Sequence, residues 1–109
     1  MERRTGSRAQ VDLPVGAFVD GFRHTCRAVE ISPRGMLVQR GKRLVGRGLR
    51  GVCRMDLHLE AGREIHLRGR TVWSDGPLQA VRFVVMDDVD RLDIAEHLDA
   101  LARQARPLH

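Results

Sequence analysis

Two short polar segments in the first third of the chain carry residue types that bind nucleotides. Residues 3–8 read RRTGSR and place Arg4 and Arg8 four positions apart, in a stretch too polar to be core. Residues 30–35 read EISPRG and supply a carboxylate, a hydroxyl and a glycine after an apolar run. An arginine can bond O6 and N7 of guanine, and a carboxylate accepts from the donors on the opposite edge of that base. Glycine lets the backbone approach a phosphate. Together these residue types indicate a site for a guanine nucleotide.

Both segments resemble the binding motifs of the PilZ domain family, which are bacterial receptors for cyclic di-GMP. RTGSR fits the RxxxR element, and EISPRG fits the (D/N)xSxxG element with Glu30 at its first position. The resemblance runs from about Glu2 to the final helix, and it implies that cyclic di-GMP is the ligand here. It also implies that Arg4 and Arg8 fold over that ligand and contact guanine and phosphate.

Further residues take roles from the same resemblance. Glu30 is expected to accept from the guanine donors, Ser32 to bond a base or phosphate oxygen, and Gly35 to allow close approach. Trp73 precedes a turn, where some PilZ domains carry a tryptophan near the ligand; the alternative is a core residue at the barrel rim. An arginine just before RxxxR, here Arg3, goes with two intercalated cyclic di-GMP molecules in this family, so a ligand dimer is expected.

The residue that departs from the family pattern is Glu30, because the family has Asp or Asn there. The extra methylene keeps the acceptor but moves it, which in a tight site costs on the order of 1–3 kcal/mol of binding free energy. Two readings therefore stand beside each other. The chain is a receptor that relays its signal to an unidentified downstream protein, or it is a degenerate adaptor that works through protein contacts with weak or no ligand binding.

Charge is distributed unevenly along the 109 residues, whose formal net charge is +5. Residues 1–54 hold 12 basic and 4 acidic residues, whereas residues 55–109 hold 7 and 10. All the cations except Lys42 are arginines, which suit bidentate contact with phosphate. A small basic nucleic-acid-binding barrel using loop 40–54 is thus a third reading. It is disfavoured because no Tyr, three Phe and one Trp offer few rings on which bases could stack.

Other functional classes are not supported by the residue pattern. The two cysteines, Cys26 and Cys53, do not make a disulfide framework, and His24 with Cys26 is too few ligands for a metal site. No apolar run approaches the ~18 residues of a membrane span, and the charged N-terminus is not a signal peptide. The sequence contains no HExxH motif, no P-loop and no nucleophile elbow. We expect a cytoplasmic, non-enzymatic protein without membrane insertion, and a homodimer is one possible assembly.

The apolar pattern predicts an all-β domain followed by one helix. Residues 1–10 are expected to form a flexible segment, residues 11–87 a small antiparallel barrel, and residues 88–106 a helix that caps it. Asp20-Gly21 is a predicted hairpin turn between the first two strands. The PilZ resemblance implies six strands in the barrel.

Strict alternation along the strands predicts which side chains face the core. In the second strand, it places Ile31 on the face of Thr25, Arg27 and Val29, opposite Cys26 and Ala28. In the hairpin around residues 61–63, matching apolar faces place Leu59 opposite Ile65, Leu57 opposite Leu67 and His58 opposite His66, across a loop of three or five residues. The inward residues of the last strand are predicted to be Val81, Phe83 and Val85.

A change from two-residue to helical period after Asp88 predicts the helix. Its buried stripe is expected to contain Val89, Leu92, Ala95, Leu98, Leu101 or Ala102, and Ala105. Acidic residues at its start and arginines at its end suit the helix dipole.

Overall fold

The computed structural model describes residues 8–41 and 51–105, and these form a closed barrel of six antiparallel strands with one helix after it. Around the barrel the strands follow the order β1-β2-β3-β6-β5-β4. This confirms the predicted fold class. The elements are β1 (Ala9–Val19), β2 (Phe22–Ser32), β3 (Gly35–Gln39), β4 (Val52–His58), β5 (Glu64–Asp75), β6 (Leu78–Met86) and α1 (Asp88–Ala105), with a 3₁₀ turn at Glu60–Gly62.

The barrel interior is filled by small and branched apolar side chains from all six strands. Val15, Ala28, Val38, Leu57 and Ile65 are fully buried there. On the helix, Ile94 and Leu98 belong to the same core cluster, so the helix caps the barrel by burying this pair. No helix among the described residues is long and apolar enough to span a membrane.

The turn between β1 and β2 forms where the sequence predicts it. Asp20 and Gly21 both have positive φ angles, 54° and 83°, as a tight hairpin turn between right-twisted strands requires. The prediction for loop 40–54 falls largely on residues 42–50, which lie outside the described residues. Strand β4 begins at Val52, inside the segment that we predicted to be mainly loop.

A bulge in β2 reverses the predicted placement of Ile31. Ala28 pairs with Val38 and Glu30 pairs with Leu37, which leaves Val29 as an extra residue. The alternation changes phase there, so Ile31 is buried with Cys26 and Ala28 instead of lying on the opposite face. The same phase change turns the side chain of Glu30 to the outside of the barrel. Bulges re-aim side chains in this way, often beside functional sites.

A second bulge, in β6, makes the prediction for Val85 wrong. Arg68 pairs with Val85 but Gly69 pairs with Phe83, so Val84 is the extra residue. Val81 and Phe83 are buried as predicted, whereas Val85 is 57% exposed on the outer surface.

The hairpin between β4 and β5 has a register two residues away from the predicted one. Leu57 pairs with Ile65, so His66 lies opposite Asp56 and not opposite His58. The loop is odd-numbered, but it has the longer of the two predicted lengths because Leu59 leaves the strand. Leu59 is 6% exposed and its amide donates to the Arg63 carbonyl at 2.7 Å, which closes the loop.

The helix spans nearly the predicted residues, but its buried face agrees with the predicted stripe only in part. Leu98 is buried as predicted, at 3% exposure, whereas Val89 and Leu92 are 66% and 58% exposed. Ile94, which lies off the predicted stripe, is 1% exposed. Burial of Ile94 and Leu98 in the core selects this face, and Arg63 in the β4–β5 loop forms an ion pair with the neighbouring Asp93. The apolar period alone did not distinguish this orientation from one rotated by about one residue.

Candidate ligand-binding cleft

An open cleft of about 310 Å³ lies on the outer face of the barrel, between the start of β1 and strands β2, β3, β6 and β5. Five of the seven residues predicted to bind the ligand line it: Arg8, Glu30, Ser32, Gly35 and Trp73. The other two, Arg3 and Arg4, lie outside the described residues. Residues separated by more than sixty positions in the sequence thus meet in one cleft.

The floor of the cleft is a row of paired residues that crosses four strands. Glu30 of β2 pairs with Leu37 of β3, Leu37 pairs with Ala80 of β6, and Ala80 pairs with Trp73 of β5. Three strand spacings separate the ends of this row, about 14 Å. A carboxylate and an indole therefore stand at opposite sides of a floor made of small and aliphatic side chains. The groove thus has a hydrogen-bond acceptor on one side and an aromatic ring on the other.

Arg8 and Glu30 form an ion pair across one side of the cleft. The Arg8 Nη1 atom lies 3.8 Å from Glu30 Oε1, and their side chains are 73% and 35% exposed. Such an exposed pair contributes little to stability, about 0–1 kcal/mol. Its importance is positional, because it brings the last arginine of RxxxR together with the first residue of ExSxxG.

Gly35 has a structural reason to be glycine. A Cβ atom at this position would lie 2.3 Å from the Val81 carbonyl oxygen, closer than any side chain allows. Glycine therefore permits β3 to approach β6. The Ser32 hydroxyl donates to the Gly35 carbonyl at 3.2 Å, and the Phe83 amide donates to the Arg34 carbonyl at 2.8 Å. The ExSxxG turn is thus held rigidly against β6.

Trp73 lies on the outer surface and is not a core residue at the barrel rim. Its side chain is 50% exposed, and that of its neighbour Val72 is 53% exposed. The register between β5 and β6 shifts between Thr71 and Trp73, so that both Val72 and Trp73 point outwards. An indole face is therefore available beside the cleft for stacking on a base.

Two arginines in the cleft were missed by the sequence analysis. Arg34 lies in the ExSxxG turn and Arg82 lies on β6, and both are exposed and line the cleft. Arg82 could have been found from its place between the inward residues Val81 and Phe83, which turns it outwards. Its proximity to Gly35, however, depends on the pairing of β3 with β6, which no local pattern reveals.

Comparison with known protein families identifies the family of this chain. A family model for the PilZ domain matches residues 2–100. The chain belongs to the PilZ family. It is thus a member of a family of cyclic di-GMP receptors, which are binding domains. No curated protein matches the sequence.

Solved PilZ structures share the fold of this chain at low identity. The PilZ domain of Escherichia coli YcgR, solved with c-di-GMP, has a TM-score of 0.79 and 14% identity, with 96% of this chain and 95% of that one covered. The Bacillus subtilis inhibitor of motility MotI also has a TM-score of 0.79, with 17% identity and 98% of this chain covered. This chain spans only 55% of MotI. The PilZ domain of CeSA from a cellulose-synthesizing bacterium has a TM-score of 0.63 and 17% identity over 87% of this chain and 97% of that one.

A separate polar cluster surrounds Asp56 on the outer face of β4 and β5. Asp56 is 7% exposed, and its Oδ1 atom lies 2.7 Å from His66 Nδ1, while Arg23 Nε lies 3.9 Å from its Oδ2 atom. Asp56, Glu64 and His66 are close enough to offer three metal ligands, but the Arg23 guanidinium already compensates the carboxylate. The sequence analysis also considered His24 with Cys26 as metal ligands. Burial raises the pKa of the Cys26 thiol, so this thiol is a poor metal ligand at neutral pH.

The His66–Asp56 contact predicts a pH-dependent contribution to stability. The hydrogen bond to Asp56, assisted by the charges of Asp56, Glu64 and Asp90, raises the pKa of His66 above 6.5. The contribution is therefore fully present below the unfolded pKa and is lost as pH rises through the folded pKa. We expect His66→Gln to lower the melting temperature at pH 5.5 and to have little effect at pH 8.5. A decrease that is the same at both pH values would contradict this assignment.

Proposed function

We propose that this PilZ domain is a cytoplasmic receptor that binds cyclic di-GMP in the cleft between RxxxR and ExSxxG. The observation that carries the proposal is the convergence of Arg8, Glu30, Ser32, Gly35 and Trp73 on one cleft. The residues came from two sequence motifs and a distant tryptophan. Their meeting on one surface is what a shared ligand requires.

The chemistry of each residue suits one part of the ligand. Arg8 and the neighbouring Arg34 and Arg82 supply guanidinium groups for phosphate oxygens, and arginine binds these in bidentate fashion. The Glu30 carboxylate can accept from the N1 and N2 donors of guanine while it remains beside Arg8. Trp73 provides a ring on which a guanine can stack, a contact worth about 1–3 kcal/mol in nucleic-acid complexes.

Glu30, which stands where the family has Asp or Asn, is compatible with ligand binding in this geometry. Its longer side chain reaches Arg8 and keeps the acceptor at the edge of the cleft. Arg4 is the first arginine of RxxxR, and Arg3 precedes it in the sequence. Because of Arg3, we propose that two intercalated ligand molecules bind. The open form of the cleft favours a ligand that is itself partly exposed.

A calorimetric titration with cyclic di-GMP tests this proposal directly. We expect binding with two ligand molecules per chain, and no binding of GMP at the same concentration. One molecule per chain would contradict the role of Arg3 but not the receptor function. No heat at about 100 μM ligand, which excludes affinities useful to a second messenger, would instead support the adaptor reading.

Signal relay to a partner protein is the second part of the proposal. The ligand would neutralise the arginines that line the cleft, Arg8, Arg34 and Arg82. Neutralising several arginines changes the electrostatic potential of the adjoining surface. The partner protein would recognise that change.

A further inference from the structure

Four arginines on the outer face of β4, β5 and β6 form a continuous basic surface, here named the arginine strip. Its members are Arg54, Arg68, Arg70 and Arg82, and all four are exposed. Arg54 lies directly opposite Arg68, and Arg70 lies directly opposite Arg82. Like charges at opposite positions of paired strands repel each other, because their Cβ atoms are only about 4.5–5.5 Å apart. The strip therefore works against the stability of the sheet.

Among the described residues, no carboxylate forms an ion pair with an arginine of the strip. The carboxylates that form ion pairs there do so with Arg8, Arg23, Arg27, Arg63, Arg103 and His66. Asp87 and Asp90 line a hollow together with Arg54 and Arg68 without forming ion pairs. Arg54 does contact the Phe18 ring, 4.5 Å from its centroid, which holds one end of the strip in place.

Exposed aliphatic side chains are interspersed with these arginines. Val52 lies opposite Arg70 and is 44% exposed, and Val85 lies opposite Arg68 and is 57% exposed. Val72 follows Arg70 along β5 and is 53% exposed. Arginine mixed with apolar groups is typical of protein interfaces. A single-stranded nucleic acid is bound mainly by basic groups at its phosphates and aromatic rings at its bases, so exposed valines contribute little to its binding.

We propose that the arginine strip, with Val52, Val72 and Val85, docks an acidic segment of a partner protein whose carboxylates alternate with apolar residues. Arg68 and Arg70 point outwards two positions apart on one strand. Carboxylates two positions apart on an extended segment have the same spacing, about 6.6–6.8 Å. Arg68 and Arg70 lie on β5, which is paired with β4 on one side and with β6 on the other, so the side chains and not the backbone make this contact.

The strip and the ligand cleft share residues. Arg82 and Val72 line the cleft as well as the strip, and one guanidinium cannot fully serve both a phosphate and a carboxylate. Ligand in the cleft should therefore weaken docking, and by linkage the docked segment should weaken ligand binding by the same factor. This coupling rests on the proposed function, whereas the docking itself does not.

The test uses a labelled synthetic peptide in which Glu alternates with Val, measured by fluorescence anisotropy at low salt. We expect Arg68→Glu/Arg70→Glu to weaken peptide binding by about tenfold or more, as for charge pairs at other interfaces. The matched control, Arg91→Glu/Arg103→Glu on the helix, changes the net charge equally and should leave the affinity unchanged. If the control variant loses as much peptide affinity, the effect is due to net charge alone, and the arginine strip is not the docking surface.

Two further probes distinguish the kind of partner. A peptide in which Glu alternates with Ser should bind more weakly, because serine side chains cannot cover the exposed valines. Equal affinity for the two peptides would show that Val52, Val72 and Val85 do not contribute to docking. An oligothymidylate that binds more tightly than the Glu–Val peptide, and loses binding in Arg68→Glu/Arg70→Glu, would make the strip a nucleic-acid surface instead.

Unfolding is separated from lost docking by the single variant Arg70→Glu. It places a carboxylate opposite Arg82, so the melting temperature should rise by about 1–8 °C while peptide affinity falls. A lower melting temperature would show that Arg70 and Arg82 do not repel each other.

The two proposals fail separately. If the peptide binds and cyclic di-GMP does not, the docking surface stands and the receptor function is refuted. If cyclic di-GMP binds and the peptide does not, only the docking surface is refuted.

Discussion

Replacing Arg4 and Arg8 together by alanine is expected to weaken cyclic di-GMP binding by between about a hundredfold and ten-thousandfold. Each arginine supplies charge-assisted hydrogen bonds worth about 1.5–3 kcal/mol, and every 1.4 kcal/mol corresponds to a factor of about ten in Kd. Arg8 already lies at the cleft beside Glu30, so the loss includes the group that is positioned before the ligand arrives. Isothermal titration calorimetry measures the change.

The control for this variant is Arg91→Ala/Arg103→Ala, which removes the same charge from the exposed face of the helix. Its affinity should match that of the wild type, apart from a small loss of long-range attraction. If Arg4→Ala/Arg8→Ala binds as tightly as the wild type, the cleft is not the binding site even though the family assignment stands. Glu30→Asp adds a second comparison, since it restores the family residue but shortens the contact with Arg8.

Gly35→Ala is expected to destabilise the fold by about 3 kcal/mol, at the upper end of the cost of overpacking. The added Cβ would meet a backbone carbonyl, that of Val81, at 2.3 Å, and backbone in a closed barrel cannot move aside as a flexible side chain can. For a domain of this size, the melting temperature should fall by about 12–24 °C. Thermal unfolding followed by circular dichroism measures it.

A matched glycine separates this steric effect from a general sensitivity to substitution. At Gly76, a Cβ atom would meet nothing within 4 Å, and its φ of 59° is one that asparagine tolerates. Gly76→Asn should therefore change the melting temperature little. If Gly35→Ala melts like the wild type but loses ligand binding, Gly35 serves the ligand directly and not the contact between β3 and β6.

Local patterns were sufficient for the fold class, several strands followed by one helix, whereas the number of strands came from the family resemblance. The Asp20-Gly21 turn and the change of period at Asp88 depend on residues close in sequence, and both predictions agree with the structure. The two motifs were likewise visible, because RxxxR and ExSxxG are each contained within a few residues. That both belong on one side of a barrel followed from the family resemblance.

Side-chain facing was predicted correctly only up to the first irregularity in each strand. Bulges at Val29 and Val84 change the alternation, and each is visible only when a neighbouring strand sets the register. The same limit explains the hairpin between β4 and β5, where Leu59 joins the core from a loop position. In the helix, the Arg63–Asp93 ion pair and the burial of Ile94 select a face that periodicity alone did not distinguish.

The amino-acid order thus specifies which binding groups are present, since the guanidinium, carboxylate and hydroxyl groups of the two motifs are properties of single residues. Where those groups meet is a property of strand pairing. Glu30 faces the cleft because Val29 bulges, and Arg82 and Trp73 join it through the pairing of β6 with β3 and β5. Contacts between residues distant in sequence depend on the registers of the whole barrel, and a closed sheet settles these registers together.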